Sequence, residues 1–278
     1  MKTLCIYHGN CPDGFGAAWA VRHKLGGSVE LIAGFHYEPP PEVAGQDVVM
    51  VDFAYKRPVM DVLLTQANSI LVLDHHKTAA EDLSILLEQG KIGGIFDMSK
   101  SGAMLAWEWF HPNQPPPQLL LHIQDRDLWR YELEHTREIQ AALTSYPYAF
   151  DVWDDLMNSD LSKLISDGIA IVRRQKRDIQ ELIDVSARRM AIAGYDVPAL
   201  NTPPAWASDA GNILCQGEPF AACYGDHEGG RSYSLRSTND GVDVSEIAVM
   251  FGGGGHRNAA GFNVSYEQDI SVVPEETT

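Results

Sequence analysis

Apolar positions along the first 130 residues come in short runs that end in polar groups. Thr3-Leu4-Cys5-Ile6-Tyr7 predicts a first strand, and the small, apolar stretch over 15–25 a helix after it. A second strand is expected over 29–35, before the loop marked by Pro39-Pro40-Pro41. Val48-Val49-Met50-Val51 then runs into Asp52, and Ile70-Leu71-Val72-Leu73 into Asp74-His75-His76. Such runs read as strands buried on both faces, the mark of a parallel sheet. An amphipathic helix over 58–66 separates them, so a right-handed crossover should bring Asp52 and Asp74 to one edge of the sheet. A helix over 80–88, a short strand over 92–96 and a helix over 102–110 complete this α/β half, with Trp107, Trp109 and Phe110 expected in its core. Pro115-Pro116-Pro117 opens one more helix, whose apolar start gives way to Gln124-Asp125-Arg126-Asp127.

From 149 to 189 the period becomes helical, with Leu164, Ile165, Ile169, Val172, Ile179 and Leu182 on one face. Arg173, Arg174, Lys176 and Arg177 fall on its polar positions and are expected to pair with carboxylates. The last third returns to strands over 220–224 and 231–237, joined by a turn over 226–230. A helix over 244–250 leads into Phe251-Gly252-Gly253-Gly254-Gly255-His256 and a strand-like 259–264. The expected organisation is an α/β parallel-sheet domain over 1–148, a helical connector over 149–194 and a smaller mixed α/β domain over 195–278.

Composition narrows the function classes. In 278 residues, 45% hydrophobic and 21% charged, no apolar run is long enough to span a membrane, and a cytoplasmic protein is expected. A net charge of −17 opposes the binding of long nucleic acid, which needs a field that attracts phosphate. It agrees with a cluster of carboxylates that holds divalent metal around a small anionic substrate. Cys5, Cys11, Cys215 and Cys223 show no paired spacing, so neither a zinc ribbon nor a disulfide framework is indicated.

The candidate chemistry lies at the ends of the runs. His8 through Gly14 forms a glycine-containing turn between a strand and a helix N-terminus, a place for an anion or a metal-bound phosphate. One aspartate after a strand is usually a turn or a cap. Two after successive strands, with His8 and Asp13 after the first, point to a site. Asp125 and Asp127 are each a candidate further ligand, against a solvated cluster with Arg126. Four successive glycines suit a loop whose amides approach a phosphate, with His256 at its centre.

Taken together, His8 with Asp13-Gly14, Asp52 after a strand, Asp74-His75-His76, Asp125 ahead of Trp129, Ser234-Leu235-Arg236-Ser237, and Gly253-Gly254-Gly255-His256 followed by Ala259-Ala260-Gly261-Phe262 resemble the DHH-DHHA1 phosphoesterases. The resemblance spans nearly the whole chain and keeps the family's order. It implies two Mn²⁺ ions, with Mg²⁺ as the alternative, in the first domain, and substrate-binding groups brought across a cleft by the second. His8 would serve one metal, Asp13, His75 and Asp125 the other, with Asp52 as a catalytic bridge. Asp74 would orient His75. His76, Arg236 and His256 would face the substrate phosphate, and Ser237, Gly253, Gly254, Gly255 and Asn258 would line its binding site. One position departs from the family: Cys11 stands where a second aspartate is usual, so Asn10, Cys11 or a water would complete the first metal's shell.

These features imply a phosphoesterase for short nucleotides: di- to oligoribonucleotides, linear dinucleotides from signalling, or a 3′-phosphate such as pAp. A polyphosphatase or exonuclease of the same superfamily is a less favoured reading, and a nucleotide-binding regulator with a degenerate metal site is the reading from another class. Neither a membrane nor a long nucleic acid is expected as partner. The oligomeric state, a homodimer included, is left open.

Overall fold

The computed structural model describes residues 3–272. The chain divides into two compact units, Met1–Val172 and Arg173–Thr278.

In the first unit the strands are β1 (Thr3–His8), β2 (Val29–Gly34), β3 (Asp47–Val51), β4 (Ser69–Asp74) and β5 (Gly93–Phe96). All neighbours pair in parallel, in the order β2-β1-β3-β4-β5. The helices of this unit are α1 (Pro12–Leu25), α2 (Arg57–Gln66), α3 (Lys77–Glu88), α4 (Gly102–Phe110), α5 (Gln118–Asp127), α6 (Thr136–Leu143) and α7 (Phe150–Asn158). The strand period of two explains the unbroken apolar runs. Cys5, Val49, Val51 and Leu73 join one core with α1, α4, α5, α6 and α7. Their alternates Leu4, Ile6, Val48, Met50, Ile70 and Val72 join another with α2 and α3. Trp107 is buried as expected, whereas Trp109 is exposed, because the face of α4 that meets the core excludes it.

The long helix α8 (Ser162–Ser186) crosses the division between the units. Leu164 belongs to the first core, and Ile179 is buried against Leu200, Ala207, Ala210 and Cys223 of the second unit. Trp153, Leu156 and Met157 of α7 also lie in the first core. The stretch expected as a connector over 149–194 is therefore shared between the two units. Its basic residues pair along the helix, Arg174 with Asp178 at 2.7 Å and Arg177 with Glu181 at 2.8 Å.

The second unit holds β6 (Arg188–Ile192), β7 (Tyr195–Asn201), β8 (Ala221–His227), β9 (Gly230–Arg236), β10 (Gly254–His256) and β11 (Ala259–Val264), with α9 (Pro204–Leu214) and α10 (Val244–Met250). The sheet order is β10-β11-β9-β8-β7-β6, antiparallel throughout except for the β7 and β8 pair. No helix among the described residues is long and apolar enough to cross a membrane.

Candidate metal centre

The order of the first sheet decides where a ligand can bind. From β1 the chain passes to one side for β2 and to the other for β3 and β4, and ligands gather outside the carboxyl ends at such a reversal. His8 is the last residue of β1, Asp52 follows β3 directly, and Asp74-His75-His76 closes β4. Asp52 is held in the left-handed region at φ 53°, a backbone state that costs a non-glycine residue of order 1–3 kcal/mol and is typical of functional sites. One glycine makes room for it and another for His8. A Cβ on Gly102 would lie 2.4 Å from Asp52 Cβ, and one on Gly14 would lie 2.3 Å from the His8 carbonyl oxygen.

Five side chains, those of His8, Asp13, Asp52, His75 and Asp127, converge. His75 Nε2 lies 3.1 Å from Asp52 Oδ1, 3.7 Å from Asp13 Oδ2 and 3.5 Å from Asp127 Oδ2. His8 Nδ1 lies 3.3 Å from Asp52 Oδ2. Asp13 is held in place by the first amides of α4: Gly102 N donates to Oδ2 at 2.6 Å and Ala103 N to Oδ1 at 3.0 Å. Within the first unit, three sets have potential ligand atoms within 4.8 Å of one another: His8, Cys11 and Asp52; Asp13, His75 and Asp127; and Asp52, Asp74, His75 and His76.

The donors fit a divalent cation. Among the described residues, Nδ1 of His8 and Oδ2 of Asp52, Asp74 and Asp127 are buried and have no hydrogen-bond partner. Buried polar atoms are rarely left so, and these belong to carboxylates and an imidazole, the ligand types that Mn²⁺ and its neighbours take.

Charge reinforces the point. Burial pushes the Asp13 carboxyl up, and the charges of Asp52 and Asp127 push it further, well above the carboxylate range. Burial raises Asp127 as well, against the pull of His75. Burial acts on Asp52 in the same direction but is outweighed by the His75 hydrogen bond and by the close imidazoles of His75 and His8, which hold that carboxyl well below the usual range. Burial lowers His75, yet Asp127 and Asp52 overcome it and carry the imidazole up to about 10. His8 is likewise raised well above its ordinary value, burial being overcome by Asp52 and Cys11. So many carboxylates in one small volume demand positive charge, which protons on histidine or divalent cations can supply.

Two expected placements differ in the structure, and a third, left between alternatives, is narrowed. Asp125 is not part of the cluster: its Oδ1 accepts from Glu132 N at 2.8 Å, and its Oδ2 accepts from Leu133 N at 3.1 Å and from Thr136 Oγ1 at 2.5 Å. That carboxylate ties down the loop between α5 and α6, and the α5 carboxylate that lies beside His75 is that of Asp127, at 3.5 Å. Asp74 orients the second histidine rather than the first, because its Oδ1 meets His76 Nδ1 at 2.7 Å and reaches only the backbone N of His75, at 2.7 Å. Of the two residues expected to complete the first shell, Asn10 is exposed with φ 55°, a turn residue, and Cys11 joins the cluster.

In the second unit Arg236, Ala259 and His256 occupy one row across β9, β11 and β10, which puts Arg236 and His256 on the same face of the sheet. The Arg236 guanidinium donates to Ser234 Oγ at 3.0 Å and to Ser208 Oγ at 2.8 Å. Asn258 donates to the Ser237 and Thr238 carbonyls at 3.2 and 2.9 Å, closing the turn before β11.

The glycine run is not a free loop. Gly252 N donates to Val249 O at 2.9 Å and Gly253 N to Ala248 O at 2.8 Å, with Gly252 at φ 79°; this pattern ends α10 as a Schellman cap. Gly254, Gly255 and His256 form β10, where a Cβ on Gly255 would lie 2.6 Å from Ala259 O. The glycines therefore serve a helix stop and a tight hairpin, which the composition of the run did not distinguish from an open loop.

Residues 211–274 match the DHHA1 domain family. An uncharacterized protein, R106, of Acanthamoeba polyphaga mimivirus is 33% identical over 291 residues, covering 94% of this chain and 67% of that protein. A pGpG-specific phosphodiesterase, PggH, from Vibrio cholerae aligns with a TM-score of 0.45 at 10% identity, over 96% of this chain and 94% of that one. An exopolyphosphatase-related protein from Bacteroides fragilis aligns with a TM-score of 0.46 at 14% identity, over 96% of this chain and 88% of that one.

Proposed function

We propose that this chain, which belongs to the DHH-DHHA1 phosphoesterases, is a metal-dependent hydrolase of phosphoester bonds in short nucleotides. The observation that carries the reading is the convergence of His8, Asp13, Asp52, His75 and Asp127 with buried oxygens left unsatisfied at the sheet's switch point. His8 and Asp52 would hold one divalent cation, Asp13, Asp127 and Asp52 the other, with His75 beside them; Mn²⁺ suits these donors. Bound there, the pair would supply an acidified water and neutralise phosphoryl oxygens.

The protein's own groups do the positioning. Asp13 is aimed by two backbone amides, so its ligand oxygens are set before a cation arrives. Asp74, whose carboxyl is lowered because the charge and hydrogen bond of His76 outweigh burial, keeps a proton on His76 Nδ1 and turns Nε2 toward substrate. Arg236, steadied by Ser208 and Ser234, is read as the contact for a terminal phosphate, with His256 on the same sheet face as its partner. Ser237, Asn258 and the backbone from Gly253 to Gly255 are read as the surroundings of that phosphate.

A turnover panel on the full chain with Mn²⁺ tests the reading. It compares a 5′-phosphorylated dinucleotide, a longer oligoribonucleotide, pAp and tripolyphosphate. The expected result is hydrolysis of the dinucleotide or pAp well ahead of the other two, abolished by EDTA and restored by Mn²⁺. Nucleotide binding without turnover in any arm would favour the regulator; fastest release from tripolyphosphate would make the protein a polyphosphatase.

A further inference from the structure

We infer that Cys11 supplies a sulfur ligand to the cation held by His8 and Asp52, so that this half of the centre takes thiophilic divalent ions in preference to Mg²⁺. The inference rests on the metal-centre reading above and adds to it the chemistry of one site. Cys11 stands immediately before α1 in extended backbone, at φ −125° and ψ 129°, where a capping side chain is common, yet its side chain makes no capping hydrogen bond. Its Sγ, a nitrogen of His8 and an oxygen of Asp52 lie within 4.8 Å of one another.

The independent sign of a ligand is the Asp52 carboxylate, 1% exposed: its Oδ2 and His8 Nδ1 face each other at 3.3 Å, both buried, and neither makes a hydrogen bond of proper geometry to any group. A sulfur, a nitrogen and an oxygen therefore face one small volume. The other cysteines are placed differently: Cys5 packs in the core under β1, and Cys215 and Cys223 are buried in the second unit.

The two halves of the centre then differ in hardness. Asp13 and Asp127 offer oxygen alone and His75 nitrogen, a set open to Mn²⁺ or Mg²⁺. Cys11 adds a soft donor to the half with His8, which favours Zn²⁺, Co²⁺ or Cd²⁺ there. Binding exchanges the thiol proton for the metal: one S–H bond breaks, one metal–sulfur bond forms, and a proton leaves to solvent with no change of oxidation state.

The test is a spectrum rather than a rate. Metal-free full-length protein is titrated with Co²⁺ under argon and a phosphine reductant, and followed through the near-ultraviolet and visible. A sulfur-to-cobalt charge-transfer band should grow in the wild type together with the cobalt d–d bands. Cys11→Ser should keep d–d bands and lose the charge-transfer band. Cys11→Asp should also lack it and shift the Cd²⁺ to Mg²⁺ affinity ratio toward Mg²⁺ by at least about tenfold, the lower end for disturbing a metal site. A C5S/C215S/C223S variant should retain the band; if that triple change does not fold, thiol alkylation of the cobalt-loaded wild type, with Cys11 spared, is the second readout. Bound cobalt with d–d bands alone in the wild type would overturn the sulfur ligand and leave the metal centre standing. A charge-transfer band unchanged in Cys11→Ser would overturn it too, and failure to bind any cation would overturn both readings.

Discussion

Two carboxylates near the end of α5 show what separates a ligand from a strut. Asp125 is buried with both oxygens satisfied by two backbone amides and the Thr136 hydroxyl. Asp127, two residues on, directs Oδ2 toward His75 at 3.5 Å and leaves that oxygen without a hydrogen bond. Both are aspartates in one polar stretch, yet one is spent on holding a loop, and the other, on the function proposed above, is kept for a cation. A buried polar group that the fold leaves unsatisfied is the better pointer to function.

The largest expected effect breaks that comparison apart. Asp127→Ala should lower kcat by about 10²–10³-fold, the scale on which a single electrostatic contribution to a transition state is lost. In metal-free protein it removes the ion pair with His75 but no hydrogen bond, so it should lower the melting temperature less than Asp125→Ala does. Asp125→Ala should do the reverse: it strands up to three donors, at about 1–3 kcal/mol for each that stays buried. Denaturant unfolding of both variants without metal, beside Mn²⁺ titrations, reads the contrast. A loss of Mn²⁺ affinity in Asp125→Ala with unchanged stability would reverse the assignment.

The difference also marks how far the sequence can be read. Asp52 and the Asp74-His75-His76 segment were visible because a buried strand announces its own end, and a parallel crossover places successive ends on one edge. The helix end over 125–127 carries no such signal. Helical spacing sets Asp125 and Asp127 about 200° apart, and which one faces the cluster depends on packing against α1, α4 and α6. The loop after it, with Trp129, Tyr131 and His135 at positive φ, gives no periodic signal, and α6 beyond it was not foreseen for that reason. In the second unit the antiparallel pair β8 and β9 and the strand β11 were legible from alternation, whereas β6, β7 and β10 were missed. The first two lie where a helical period fades without a break, and β10 is built from glycines that normally argue against a strand.

A second, more moderate effect sharpens the same contrast through pH. His75 stands at about 10 in the folded protein against an ordinary 6.5. A raised imidazole stabilises the fold while protonated, so its contribution is complete below about pH 6.5 and is lost as pH rises toward 10. The raised carboxyl of Asp13 acts in the same direction, since it too prefers its proton when folded. Metal runs the opposite way, because a cation must displace those protons. Metal-free protein should therefore melt at progressively lower temperature from pH 7 to pH 10, while the stabilisation added by Mn²⁺ grows over the same range. Equal pH slopes with and without the ion would remove the cluster as its binding place.

The smallest expected effect concerns the glycine run, where the fold leaves little unsatisfied. Gly252 at φ 79° ends α10 and has open space where a Cβ would go, so Gly252→Ala should cost only the backbone strain, about 1–2 kcal/mol. Gly253 is different: a Cβ there would sit 2.0 Å from the Gly261 carbonyl, and the β10–β11 hairpin could not close. If the first glycine serves only the helix stop, Gly252→Ala should lower stability by that amount with KM for the nucleotide unchanged. A rise in KM at unchanged stability would instead assign the Gly252 backbone to the substrate, and the unsatisfied-group criterion that separates Asp127 from Asp125 would then have overlooked a binding loop. Chemical denaturation and initial rates on the same preparation decide between them.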